Sequence, residues 1–314
     1  MDINYAFLAT NILSILLTLG VPIALAVVLI RRYKVSWLVV VTGLLAFAAA
    51  QVMFYFTIRF LSGVLQNTAL FQGNSIWALV LYALLIGALS AIFVELMRLA
   101  GVMLLKSKSK SFKSALGFGV GGGVFSGAVN SFFNGGIGLS ILIYFFVAIT
   151  FNPGAMLAKG VDTATVTSAM SQVQQIWGAP WDYGLVLGVE SLIMLAAEIV
   201  LATFVWKSVA YGQGVWFAVA FLYRTLLIGG IYFLNMIGWK VWWIEAVLAA
   251  VLALNIYLIY TYWKEESAIE EDEEFAEIDD ESDDEDFGID DDDTDEIAEV
   301  IDQPDDDQKE KKAE

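Results

Sequence analysis

The sequence contains no histidine and no cysteine. Without cysteine, the chain forms no disulfide and has no thiolate site. Without histidine, Ser/His and Cys/His nucleophile systems and every histidine-ligated zinc site are excluded. The phosphate-loop pattern G-x-x-x-x-G-K-[ST] is also absent.

Apolar residues dominate what is present: 58% of the chain is hydrophobic and 14% is aromatic. Apolar runs of about 18 residues or more are long enough to cross the hydrocarbon core of a bilayer. We therefore predict an all-α polytopic membrane protein with about seven transmembrane helices, within a range of about six to eight. The predicted spans are residues 5–30, 37–61, 76–105, 115–151 (with a break near 134–136), 184–206, 216–234 and 241–263.

The net charge of −18 is divided unevenly along the chain. Residues 264–314 hold 28 of the 35 acidic residues and 4 of the 17 basic ones, whereas residues 1–263 carry a small positive excess. Such an acidic segment cannot bury enough apolar surface to fold alone. We predict a multi-spanning helical membrane domain of residues 1–263, followed by a disordered acidic tail of residues 264–314 that could recruit a basic protein partner.

Basic residues cluster after the first and third predicted spans. The first cluster is residues 31–34, and the second, which we call the lysine turn, contains Lys106, Lys108, Lys110 and Lys113. The positive-inside rule places both clusters in the cytoplasm, where anionic lipid attracts them. A single net crossing between residues 115 and 151 keeps the tail on that side too.

This topology predicts an integral protein of a prokaryotic plasma membrane, with its N-terminus outside and its tail in the cytoplasm. Residues 152–183 would then be external, with an interfacial helix near residues 161–176. The expected partners are membrane lipids and membrane polypeptides, and no nucleic acid.

Several polar side chains fall inside the predicted spans. A charge at the bilayer centre costs about 2.5–3.5 kcal/mol on insertion scales, so it usually marks a paired charge or a functional site. Adjacent on one helix face, three residues apart, Glu95 and Arg98 fit either reading. The predicted buried polar site comprises Glu95, Arg98, Asn130, Glu190, Glu198 and Glu245. Glu190 and Glu198 differ by about 80° around their helix and could face one cavity.

A glycine-rich stretch follows the lysine turn. Small residues allow close approach between transmembrane helices. We expect helix packing at Gly119, Gly121, Gly123 and Gly127.

The same two regions carry a resemblance to a known family. Residues 94–98 read V-E-L-M-R and residues 119–126 read G-V-G-G-G-V-F-S. They resemble the E-E-x-x-R and G-x-G-H-G-x-x-E motifs of the YhfC-like intramembrane proteases, of glutamic or metallo type, in the CAAX-protease and bacteriocin-processing superfamily. The resemblance implies peptide-bond cleavage by a water that glutamate and histidine activate. Relative to those motifs, Val94 replaces a glutamate, Gly122 the histidine and Ser126 the later glutamate, while Glu198 stands at a further histidine position.

The substitutions favour a catalytically inactive protease homologue that binds or stabilises membrane polypeptides, with no cofactor and no metal. Two alternatives remain. One is an active peptidase that relies on Glu95 together with other carboxylates. The other is a transporter or proton pathway that uses the buried Glu and Arg side chains.

The predicted topology has a consequence for lipid binding. A flexible tail of about 50 residues reaches roughly 40 Å, far enough to meet the lysine turn, although mobile charges are screened over about 8 Å. We predict that deleting residues 267–314 strengthens binding of the purified protein to anionic liposomes, because the tail competes with lipid for the lysine turn. The difference should fade at high salt. Equal binding of the two proteins at low salt would contradict this prediction.

Overall fold

The computed structural model describes residues 5–65, 75–105, 111–129, 131, 152–177 and 180–282. Within these ranges the secondary structure is helical. The helices are α1 Tyr5–Ile15, a π-helical turn Leu16–Gly20, α2 Val21–Arg32, α3 Trp37–Leu65, α4 Ile76–Leu105, α5 Phe112–Val129, α6 Pro153–Ala158, α7 Thr163–Trp177, α8 Tyr183–Ala210, α9 Gly214–Met236 and α10 Val241–Ser282.

Six segments of the described chain are long and apolar enough to cross a membrane. The prediction of an all-α polytopic membrane protein is therefore confirmed. The segments are Tyr5–Arg32, Trp37–Leu61, Ile76–Leu105, Gly184–Ala210, Gly214–Met236 and Val241–Glu266.

Helix α5, the glycine-rich helix, lies at the centre of the bundle. All of its residues from Phe112 to Gly123 are buried except Lys113, and it packs against α2, α3 and α8. A Cβ at Gly121 would overlap the carbonyl oxygen of Val40 in α3, and one at Gly119 would lie 2.6 Å from the Cα of Ile199 in α8. These backbones approach so closely only because glycine has no side chain.

The π-helical turn in the first span lies against the other end of α5. A Cβ at Gly127 would overlap the carbonyl oxygen of Thr18, and the Thr18 hydroxyl is hydrogen-bonded to that of Ser131. The side chains of Thr18 and Ser131 are both buried. The two hydroxyl groups thereby satisfy each other inside the bundle.

Aromatic side chains lie together at the end of the bundle that also holds Arg32 and Lys207. We call it the basic end. The ring of Phe112 contacts those of Trp206 and Trp263, with centroids 6.1 and 6.2 Å apart, and Tyr33 contacts Trp263 at 5.1 Å. The start of α5 and the end of α8 are therefore neighbours. Since α8 is one unbroken helix of 28 residues, about 42 Å long at 1.5 Å per residue, its start lies at the opposite end. Residues 112 and 183 therefore lie at opposite ends of the bundle.

The helix α10 continues past the predicted membrane boundary. Close contacts divide the chain into residues 1–266 and residues 267–314. Glu266 is buried, and its Oε1 lies 3.2 Å from Nζ of Lys207. The same Nζ lies 4.2 Å from the centre of the Tyr262 ring. Glu265 and Glu266, which the prediction assigns to the tail, thus pair with Lys207. Glutamate and alanine favour helix, and extending an existing helix is far easier than nucleating one. Residues 283–314 lie outside the described part.

The segment predicted to be external contains two short helices. Asn152 caps α6 by accepting a hydrogen bond from the Ala155 N–H at 3.0 Å. Asp162 caps α7 by accepting one from the Thr165 N–H at 2.8 Å. Helix α7, Thr163–Trp177, lies within two residues of the predicted interfacial helix.

The glycines of α5 provide a matched pair of substitutions. In Gly121→Ala the new methyl would overlap the α3 backbone, whereas in Gly122→Ala it would meet only the ring of Phe47 at 3.6 Å. Overpacking typically costs about 1–3 kcal/mol, so Gly121→Ala should lower the thermal unfolding temperature in detergent. Gly122→Ala, with the same gain in helix propensity, should leave it unchanged or raise it. Equal effects of the two substitutions would contradict this packing.

Candidate functional site

Four charged side chains converge in the interior of the bundle. Glu95 and Arg98 come from α4, Glu198 from α8 and Arg224 from α9, and each is at most 3% exposed. We call these four residues the charge cluster. With two carboxylates and two guanidinium groups, the cluster is formally neutral, which is the arrangement that an apolar interior requires.

The arginines link the three helices. The guanidinium of Arg98 donates hydrogen bonds to Glu95 on its own helix and to Glu198 on α8. The guanidinium of Arg224 donates to Oε1 of Glu198 at 2.7 Å, and the same Nη1 lies 3.7 Å from Oε1 of Glu95. Glu198 therefore accepts from both arginines. The Nε of Arg224 donates to the hydroxyl of Ser90 at 3.3 Å.

Local sequence brings these side chains together. A spacing of three residues places Glu95 and Arg98 on one face of α4. About two turns before Glu95 on α4, Gly87 lets α9 approach closely, because a Cβ at Gly87 would overlap the carbonyl oxygen of Thr225. Arg224, the residue before Thr225, is thereby held against α4. Its guanidinium carbon lies 5.6 Å from the ring centre of Phe47 in α3, within the range of a cation–π interaction.

A very small cavity adjoins the cluster. Its volume is about 10 Å³, and its lining includes Val94, Arg98, Gly119 and Gly122. Such a space holds about one water molecule. Val94 and Gly122 are two of the positions at which the sequence departs from the protease motifs. The cavity therefore lies where those motifs would place reactive side chains.

The structure separates the predicted buried polar site into two places. Glu95, Arg98 and Glu198 meet in the charge cluster, but Glu190 and Glu245 line a different cavity between α8, α9 and α10. Glu198 does not line the cavity that contains Glu190. Eight residues separate them by about 12 Å along the helix axis, so different neighbouring helices face the two side chains.

Other predicted residues fall partly outside the described chain. Asn130 does so, as do Lys106, Lys108 and Lys110 of the lysine turn. Lys113 is described and lies at the start of α5, half-buried. The glycines predicted to pack helices all belong to α5, at the contacts with α2, α3 and α8 described above.

Arg224 belongs to the charge cluster but is not among the residues of the predicted buried polar site. Charge balance gives the missing signal. The spans hold Glu95, Glu198 and Arg98, and a lone arginine cannot neutralise two buried carboxylates. An arginine inside another apolar run, such as Arg224, is then the natural partner.

A metal ion does not fit the charge cluster. Among the described residues, no three His, Cys, Asp or Glu side chains are grouped so that they could hold one. The two carboxylates of the cluster already accept hydrogen bonds from guanidinium groups. A cation at either carboxylate would be placed beside a fixed positive charge, which disfavours its binding.

The model of the YhfC intramembrane metalloprotease family matches residues 15–265, and the chain belongs to that family. No curated protein and no solved structure matches the chain. The match covers the charge cluster, the glycine-rich helix and the second cavity.

The two sites on α8 permit a matched test of stability. Glu198→Gln leaves Arg98 and Arg224 with one carboxylate between them, and breaking a buried ion pair from one side costs about 3–5 kcal/mol. Glu190→Gln changes the same side chain on the same helix, but Glu190 has no ion pair in the described structure. We expect a large fall in unfolding temperature in detergent for Glu198→Gln and none for Glu190→Gln. Similar stability of both variants would show that the cluster does not hold the helices.

Proposed function

From membership of the YhfC intramembrane metalloprotease family, we propose that this chain is an inactive relative of its proteases that binds membrane polypeptides. In this proposal the charge cluster has a structural role and holds α4, α8 and α9 together. The observation that carries the proposal is that both carboxylates of the cluster are engaged by arginines.

The state of the carboxylates argues against peptide hydrolysis. A general base has to be within hydrogen-bond reach of the water that it activates, and free to take a proton from it. Guanidinium groups of Arg98 and Arg224 occupy both oxygens of Glu198, and Arg98 occupies Oε2 of Glu95. The occupied oxygens are not available to orient an attacking water.

The space beside the cluster also argues against hydrolysis. A scissile peptide has to lie next to the attacking water and a donor that stabilises the developing oxyanion. The cavity of about 10 Å³ beside Arg98 has room for about one water and none for a peptide group. With Val94 and Gly122 in its lining, it presents no side chain that could replace the missing glutamate and histidine.

Binding of polypeptides draws on a different part of the molecule. A cavity of about 440 Å³ lies between α8, α9 and α10, and most of its lining is apolar. Large apolar side chains, including Trp242, Trp243 and Val247, are exposed on α10. Cavities of this size commonly take one ligand group with a few fixed polar contacts. We place the basic end of the bundle in the cytoplasm, so that this cavity lies near the outer surface of the membrane.

The proposal predicts that the purified protein does not cleave membrane polypeptides. The full chain would be reconstituted in liposomes with single-span polypeptides, and the products analysed by mass spectrometry. We expect no more cleavage than with Glu95→Gln, compared at equal amounts of folded protein. Cleavage at a defined bond by the wild type, lost in Glu95→Gln, would overturn the proposal and favour a peptidase that relies on carboxylates.

Binding is measured in the same liposomes by energy transfer. Because the chain has no cysteine, Lys159→Cys at an exposed position gives a single labelling site. Energy transfer to an acceptor-labelled polypeptide should exceed that to an acceptor-labelled lipid at equal surface density. Equal transfer to both would show that the chain does not bind the polypeptide.

A further inference from the structure

We propose that the cavity between α8, α9 and α10 binds a basic side chain of a membrane polypeptide, with Glu190 and Glu245 as its counter-charges. This inference rests on the proposed function, because it names the group of the polypeptide that is recognised. It concerns residues that take no part in the charge cluster.

The cavity combines an apolar wall with convergent carboxylates. Val186 and Leu187 of α8, Ile231 of α9 and Leu248 of α10 provide apolar surface. Its volume of about 440 Å³ is ample for one long side chain together with apolar neighbours. The alkyl part of a lysine or arginine would lie on the apolar wall while its charged end reaches the carboxylates.

The charge of the lining is of one sign. Asp182, Glu190 and Glu245 are among the described lining residues, and none of those residues is lysine or arginine. Lys240, one residue before α10, is exposed and is not part of the lining. The cavity thus lacks the countercharge that the two arginines supply in the charge cluster.

An unpartnered oxygen points to the missing group. Oε2 of Glu245 is buried and has no hydrogen-bond partner in the described structure. A buried acceptor without a donor is costly. An ammonium group brings three donors and a positive charge, and a guanidinium group brings five donors. Either would satisfy Glu245 and offset its repulsion by Glu190.

The same charges disfavour a phospholipid headgroup. In such a headgroup an anionic phosphate lies beside any ammonium group, and like charges brought together at a binding site oppose binding. A basic side chain carries no adjacent anion. The depth of the cavity also suits a polypeptide, since Glu190 lies seven residues, or about 10 Å, into α8. Trp181, Trp239 and Trp242 are exposed around this end of the bundle, as is typical of the membrane interface.

The test compares two single-span polypeptides that differ at one position. One carries lysine about two turns inside its outer membrane boundary, and the other carries glutamine there. Both are titrated against the full-length protein by the energy-transfer assay described above. We expect the lysine polypeptide to bind at least tenfold more tightly to the wild type. That preference should disappear in the double variant Glu190→Gln, Glu245→Gln.

The control variant is Asp162→Asn, which removes an exposed carboxylate at the start of α7. It should retain the lysine preference, and thermal unfolding checks that all variants are folded. Equal binding of the lysine and glutamine polypeptides would overturn this inference while leaving the proposed function in place. Persistence of the preference in the double variant would overturn it as well. Failure of both polypeptides to bind would overturn the inference and the proposed function together.

Discussion

Neutralisation of charge inside an apolar bundle is the constraint on which this structure depends. Glu95 and Glu198 are fully buried, and each would be very unfavourable there without a partner. Arg98 and Arg224 supply those partners from two helices, so α4, α8 and α9 have to pack together for any of the four charges to be satisfied. The cluster therefore determines which helices are neighbours, whatever it adds to stability.

The glycine-rich helix α5 packs against α8 beside the charge cluster. Gly119 lets α5 lie directly against Ile199, the residue after Glu198, so α8 is held in place next to the cluster. Gly122 differs from the neighbouring glycines because its missing side chain leaves space beside Arg98. That space has room for about one water.

The sequence predicted the spans well and the site only in part. The length of the apolar run predicted the third span at residues 76–105, as observed, because only a long apolar run can cross the hydrocarbon core of a bilayer. The spacing of Glu95 and Arg98 predicted their contact, since local geometry within one helix decides it. The partners of Glu198 could not be read in this way, because they depend on which helices pack beside α8. For the same reason the pattern of glycines did not distinguish Gly121, at a backbone contact, from Gly122, at a cavity.

The charge cluster and the cavity that contains Glu190 lie at different depths along α8. The space beside the charge cluster is too small for a peptide, while the cavity that contains Glu190 and Glu245 has room for a side chain but lies about two helical turns away from the cluster. A polypeptide side chain bound at the second cavity would not reach the paired carboxylates of the first.

Glu198 and Arg224 form one ion pair in the interior of the bundle, and a double-mutant cycle measures the coupling between them. Unfolding free energies would be measured in detergent for the wild type, Glu198→Gln, Arg224→Met and the double variant. If the two residues neutralise each other, the double variant loses less stability than the two single losses added together, with a coupling of about 1–3 kcal/mol. Losses that add to within about 0.5 kcal/mol would contradict the account, because the two side chains would then contribute independently.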